Sequence, residues 1–270
     1  MKRAGHTPRA LTIAGSDSGA GAGIQADLKT FAAFGVYGLS ALTALTVQNT
    51  REVASIHELP VEFVAAQIRA VVSDIGVGAA KTGMLATADL VEGVARAVQE
   101  LALPNLVVDP VMASKSGTVL LHPDAVEALR RKLLPLARVA TPNLPEAEIL
   151  LGKRLAHFRD IEDAARELHS MGAACVVIKG GHREAEPEDL FYDGRRFVVF
   201  QGARVRTTSD HGTGCTFSAA IAALLARGAE PAGAVGEAKR YVTEAMLRAP
   251  RLGSGHGPLN HFFFLGRSGG

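Results

Sequence analysis

Residues 78–111 read GAAKTGMLATADLVEGVARAVQELALPNLVVDPV. Two short, nearly all-apolar runs, Gly78–Met84 and Asn105–Val111, flank a segment of helical period, Ala88–Leu101. Within it Leu90, Val91, Val94, Val98 and Leu101 recur at steps of three and four, which paints one stripe of a helix. The flanking runs do not alternate apolar with polar. They read as strands covered on both faces, and strand, helix, covered strand is the unit of a parallel sheet.

The same alternation extends in both directions. Further strands are expected at Ala10–Gly15, Leu39–Gln48, Arg138–Asn143 and Ala174–Gly181. Helical periods cover Ile24–Phe34, Val61–Asp74, Asp124–Leu134, Ile161–Met171, Gly214–Arg227 and Pro231–Arg248. Asp193-Gly194 stands between two alternating runs as a hairpin signal, so the sheet is expected to end in an antiparallel edge. The fold class is α/β: a mostly parallel central sheet with helices on both faces. No repeat, linker or composition break divides the chain. A single domain over residues 1–270 is expected, with loose ends at 1–9 and 264–270.

The composition excludes several classes of function. The chain has 270 residues, 47% of them hydrophobic, and a net charge of +2, which gives no reason to expect nucleic acid as a partner. No apolar run approaches the roughly 18 residues of a membrane span, and the start lacks the apolar core of a signal peptide. Two cysteines cannot build a disulfide framework, so a cytoplasmic protein is expected.

Ligands of such sheets bind beyond the carboxyl ends of the strands. Those positions hold GSDSGAGAG, QN, GM, DPVM, TPNLPEAE and KGGH. The first, Gly15–Gly23, is a glycine-rich strand-to-helix turn. It is a poor dinucleotide fingerprint, because Ile24 stands where the third glycine belongs and no ribose-binding acid follows. Asp27 is expected in the first turn of the next helix, where the dipole favours a carboxylate. Lys179, backed by two glycines, can lay its ammonium on phosphate oxygens, or the segment is an ordinary turn. Asp109 and Glu146 could supply the one or two carboxylates that Mg2+ takes, directly or through water. Asn143 reads equally as a helix N-cap. The run HGTGC places the N–H groups of Gly212, Thr213, Gly214 and Cys215 at the start of a helix apolar nearly all round, an anion hole. A thiol in that field is expected to have a lowered pKa, and Cys215 could be a base or a nucleophile. The bland alternative, a small buried hydrophobe, fits Cys175 better.

In order, GSDSGAGAGIQADLKTF, TALTVQNT, KTGML, VVDPVM, TPNLPEA, VIKGGH and HGTGCTFSAAIAA resemble the hydroxymethylpyrimidine/phosphomethylpyrimidine kinases of thiamine synthesis, in the ribokinase-like superfamily. The resemblance covers residues 10–263. It implies a ribokinase-like three-layer sandwich. It also implies ATP-dependent phosphorylation of a pyrimidine CH2OH and then of its monophosphate, with Mg2+, in a homodimer. Gln48 would read the aminopyrimidine edge, Gly15 and Asp27 would line the same pocket, and Met84 and Val111 would pack on the ring. Asn143 and Glu146 would serve nucleotide and Mg2+ with Asp109 nearby, and Lys179 would neutralise phosphate charge. Gly212–Cys215 would be the anion hole, with Cys215 as base. Pyridoxal kinases are close relatives of this family and are the alternative. One departure is Ala20, in a loop position where the family often has glycine and where left-handed backbone angles would be disfavoured.

Overall fold

The computed structural model describes residues 7–115, 117–180 and 188–265. Its strands are β1 (Arg9–Asp17), β2 (Tyr37–Gln48), β3 (Val53–Glu58), β4 (Ala79–Thr82), β5 (Leu106–Val108), β6 (Val139–Ala140), β7 (Val176–Ile178), β8 (Asp189–Tyr192) and β9 (Phe197–Phe200). Its helices are α1 (Gly23–Ala33), α2 (Val61–Asp74), α3 (Ala88–Glu100), α4 (Ala125–Ala128), α5 (Leu144–Leu151), α6 (Phe158–Ser170), α7 (Thr213–Ala226) and α8 (Pro231–Leu247). The strands join one sheet in the order β3-β2-β1-β4-β5-β6-β7-β8-β9. From β2 to β7 neighbours run parallel.

Covered strands are apolar on consecutive residues because each face has its own core. Leu106 and Val108 of β5 join the layer of α2 to α6, while Val107 between them joins the layer of α1, α7 and α8. β7 divides the same way, Val176 and Ile178 to one side, Cys175 and Val177 to the other. Each such side chain removed from water contributes about 1.5–3 kcal/mol. The period of two thus pins the register against a one-residue slip.

Three details differ from the expectation. The sheet has antiparallel edges on both sides: the β8–β9 hairpin, and β3 paired with β2. β3 reads VASIHE, and its largely exposed faces leave little apolar pattern to detect. Arg9, expected in a loose end, opens β1. The helix expected over Asp124–Leu134 is α4 followed by a π turn (Leu129–Leu133) and a 3-10 turn (Leu134–Leu136). Pro135 has no N–H to continue an α ladder there. Gly181 and His182, expected to close a strand and its turn, lie outside the described residues. No helix among the described residues is long and apolar enough to cross a membrane.

The chain leaves β1 toward β2 in one direction and reaches β4 on the other side, so the crevice lies where strand order reverses. α7 lies behind it, packed on β1, β4, β5, α1 and α8. Every residue from Thr216 to Leu225 is buried, which explains its apolar surface and fixes the position of its N-terminus.

Candidate active site

The strand ends deliver Gly15 and Asp17, Gln48, Met84, Asp109 and Val111, Asn143 and Lys179 to the wall of a cavity of about 1350 Å3. The first turn of α7 closes it from the other side. Gly212 caps that helix with φ of 82°, and the carbonyl of Gly21 occupies the space a Cβ would need. Only glycine fits. Among the described residues the N–H groups of Gly214 and Cys215 have no partner, as an anion site requires.

Lys179 and Asp109 face this turn. A Cβ on Gly214 would stand 3.5 Å from Lys179 Nζ and 3.8 Å from Asp109 Oδ2. Lys179 Nζ donates to Asp109 Oδ1 at 3.0 Å and lies 3.9 Å from Glu146 Oε2. Ser218 Oγ, one turn into α7, donates to Asp109 Oδ2 at 3.0 Å. Burial alone would lower the Lys179 pKa, but Asp109 and Glu146 outweigh it and hold the ammonium charged. Burial likewise opposes ionisation of Asp109, and Lys179, Lys81 and Ser218 outweigh it.

The expected lowering of the Cys215 thiol is corrected. Burial pushes it up, to about 11. Lys81 and the Gly23 N–H pull it down, while Asp27 and Asp109 push it further up. The helix end offers N–H groups, but two carboxylates in a poorly solvated site outweigh them. Cys215 still lines the cavity, whereas Cys175 is buried in the core.

Asn143 and Glu146 form a complete capping box at the start of α5. Asn143 Oδ1 accepts from Glu146 N at 2.8 Å, and Glu146 Oε2 accepts from Asn143 N at 2.7 Å. Among the described residues Glu146 Oε1 accepts nothing. Burial pushes this carboxyl up to about 7, against the pull of Lys179 and with Asp109 adding to the rise. A cation would relieve that cost, and Asp109 is the other acid at hand. The pair suits Mg2+, which keeps waters and phosphate oxygens in its shell. It makes no three-ligand protein cage, and none occurs among the described residues.

Gly15, Gln48, Met84 and Val111 line the same cavity. The Met84 thioether would be 3.3 Å from a Cβ at Gly15, so glycine keeps the floor flat there. Asp27 does not line the cavity. It lies in the second turn of α1, not the first, and is fully buried. Its carboxylate accepts from Thr12 Oγ1 at 2.6 Å and from Lys81 Nζ at 2.9 and 3.1 Å. Thr12 and Lys81 rise from β1 and β4 beneath the floor, so the acid is consumed in holding α1 to the sheet.

Sequence reasoning missed Asp17 and gave His211 no part in this pocket. Asp17 Oδ1 accepts from Gly19 N at 2.8 Å, and Oδ2 accepts from Gly21 N at 3.0 Å and Ala22 N at 2.8 Å. His211 Nε2 lies 2.8 Å from the same Oδ2 and 3.2 Å from Gln48 Nε2. Burial would raise the Asp17 pKa, but these bonds outweigh it and keep the carboxylate ionised. An aspartate at a strand end followed by glycines was the available signal. The glycine loop shows its cost at Ala20, which does take the left-handed angle, φ 60°. Ala20→Gly is expected to raise the stability by up to about 1 kcal/mol, the strain removed less the entropy added. Urea unfolding measures it, and a lower midpoint would contradict the strain.

The phosphomethylpyrimidine kinase family matches residues 17–260. A hydroxymethylpyrimidine/phosphomethylpyrimidine kinase of Mycobacterium tuberculosis is 50% identical over 262 residues, 96% of this chain and 95% of that protein. A thiamine biosynthesis bifunctional protein of Geobacter sulfurreducens is also 50% identical, over 93% of this chain, which spans about half (51%) of that longer protein. Among solved structures, an ADP complex of Bacillus subtilis pyridoxal kinase superposes with a TM-score of 0.89 at 42% identity, covering 96% of this chain and 99% of that one. With the family model matching residues 17–260 and a full-length relative at 50% identity, the chain belongs to the phosphomethylpyrimidine kinase family, on a ribokinase-like fold.

Proposed function

We propose that Cys215 takes the proton of a pyrimidine CH2OH while the α7 N-terminus and Lys179 hold the phosphoryl group being transferred. One observation carries this reading: a thiol, free helix N–H groups and an ammonium converge on the wall of a cavity that Gln48 and Met84 also line. The activity is that of a hydroxymethylpyrimidine/phosphomethylpyrimidine kinase, an ATP-dependent phosphotransferase of thiamine biosynthesis.

The roles follow from the chemistry. Met84 and Val111 clamp a flat ring, and the Gln48 amide faces its polar edge. That leaves the CH2OH toward Cys215. The acceptor oxygen attacks the γ-phosphorus, the bond to the β-phosphate oxygen breaks, and the hydroxyl proton passes to sulfur. Such transition states are loose, so most of the rate comes from positioning and charge stabilisation. The N–H groups of Gly214 and Cys215 and the Lys179 ammonium supply that stabilisation in a water-poor site. Asp109 and Glu146 would hold Mg2+, which would supply neutralisation of phosphate charge there. Glu146→Gln is expected to raise the Mg2+ concentration for half-maximal rate by about tenfold or more, with little change in acceptor KM. Equal loss at limiting and saturating Mg2+ would contradict the metal role.

A second reading is phosphorylation of pyridoxal, since a pyridoxal kinase shares the fold at 42% identity. Both acceptors are flat heteroaromatic alcohols. ADP release measured with the pyrimidine alcohol, its monophosphate and pyridoxal separates the two. Higher kcat/KM on the pyrimidines is expected, and a preference for pyridoxal would overturn the assignment.

A further inference from the structure

The hydrogen bonds around Gln48 can be satisfied in one way only. Thr46 Oγ1 lies 2.9 Å from the Ser16 carbonyl and 3.1 Å from Gln48 Oε1. A hydroxyl has one proton, and the carbonyl can only accept, so that proton goes to Ser16. Two oxygens then face each other at 3.1 Å without a hydrogen between them. On the other side, Gln48 Nε2 lies 3.2 Å from His211 Nε2, which lies 2.8 Å from Asp17 Oδ2. Asp17 is ionised and accepts from three backbone N–H groups, so His211 Nε2 must carry the proton that faces it. Two donor nitrogens then face each other.

Turning the Gln48 carboxamide by half a turn cures both conflicts. Its nitrogen donates to Thr46 Oγ1, and its oxygen accepts from His211 Nε2, sharing the proton with Asp17. Amide oxygen and nitrogen are assigned from such networks. One lone pair and one N–H remain for the cavity. Amides read an amino group beside a ring nitrogen with such a pair, oxygen to the amino N–H and nitrogen to the ring N. The order of the pair matters, because the ring cannot turn over while its CH2OH must reach Cys215.

We infer that Asp17 and His211 are positioning residues that lock the polarity of the Gln48 amide, so that the site accepts a 4-aminopyrimidine and rejects the 4-oxo ring. In the 4-oxo form a carbonyl replaces the amino group and the neighbouring ring nitrogen carries the proton. Donor and acceptor are exchanged. A locked amide meets that edge with like against like, whereas an amide free to rotate meets either edge. The inference rests on Gln48 as the ring reader. It adds the elements that give the amide its direction: His211 beside the anion hole, and Asp17 in the glycine loop.

The test is kcat/KM for the 4-amino alcohol and for its 4-oxo analogue, in the wild type and in His211→Phe, His211→Gln and Gln48→Leu. Wild type is expected to prefer the amino ring by about 10- to 100-fold or more. His211→Phe keeps an aromatic ring at the position and removes the donor. It should cut the amino:oxo ratio by about tenfold, largely through KM. His211→Gln restores an N–H donor and should restore most of the ratio. Gln48→Leu should abolish it. If Gln48→Leu leaves the ratio unchanged, Gln48 does not read the ring and both ideas fall. If Gln48→Leu lowers the ratio but His211→Phe does not, the reader stands and the lock is wrong. A His211→Gln enzyme as unselective as His211→Phe also overturns the lock, because packing rather than the donor would then be at stake.

Discussion

Cys215→Ala is expected to lower kcat on the pyrimidine alcohol by about 10²–10⁴, with ATP affinity close to wild type. The variant deletes a sulfur and leaves the Gly214 and Cys215 N–H groups and Lys179 in place, so the phosphate end is intact. The pH dependence follows from the raised thiol. With a pKa near 11, thiolate is the minor form at neutrality. The wild-type rate on the alcohol should therefore rise with pH through the neutral and mildly alkaline range. Cys215→Asp should recover part of the rate and lose that rise, because a carboxylate there is already ionised. A wild-type profile flat from pH 7 to 9.5 would contradict the raised thiol as the base.

The second large effect is on stability. Lys81 and Asp27 are both fully buried and bonded to each other through both carboxylate oxygens. Burial opposes the Lys81 charge, but Asp27 outweighs it and holds the ammonium protonated. Lys81→Met leaves the buried Asp27 with Thr12 as its one remaining hydrogen-bond partner among the described residues. Breaking a buried pair from one side costs about 3–5 kcal/mol, whereas replacing both partners by apolar groups is close to neutral. The double variant Asp27→Leu, Lys81→Met should thus recover most of what Lys81→Met loses. Urea unfolding of the two single variants and the double variant measures the coupling. Additive losses would show that the ion pair is not the unit that binds α1 to β4.

What could be read in the sequence was local. The 78–111 segment carries its own fold signal, because covered strands and an amphipathic helix each have a period. The glycine and charge clusters at strand ends marked one edge, and Gln48, Met84, Asp109, Val111, Asn143, Lys179 and Cys215 all line one cavity. β3 escaped because an exposed edge strand has little apolar period to show. Asp27 was misplaced because its partner Lys81 lies 54 residues away on another strand. Asp17 and His211 are separated by 194 residues, and no spacing rule joins them. The Cys215 shift was misjudged for a physical reason. The helix N-terminus is visible in sequence, but the burial and the two carboxylates that outweigh it are tertiary. The sequence TPNLPEAE allows a helix cap and a metal or nucleotide ligand alike at Asn143 and Glu146. The cap is present, and Glu146 Oε1, which accepts nothing among the described residues, leaves the ligand role open beside it.

Proton transfer from the acceptor hydroxyl to Cys215 separates the two phosphorylations. The alcohol has a proton to lose. The monophosphate, with a second pKa of about 6, presents an already ionised oxygen at pH 7.5. The decisive measurement is single-turnover phosphoryl transfer by Cys215→Ala at pH 7.5 with saturating ATP and Mg2+, on each acceptor in turn. A loss of about 10²–10⁴ is expected on the alcohol, and a loss of less than about tenfold on the monophosphate. Equal losses on both acceptors would contradict it, leaving Cys215 as a packing residue at the phosphate-binding end of α7.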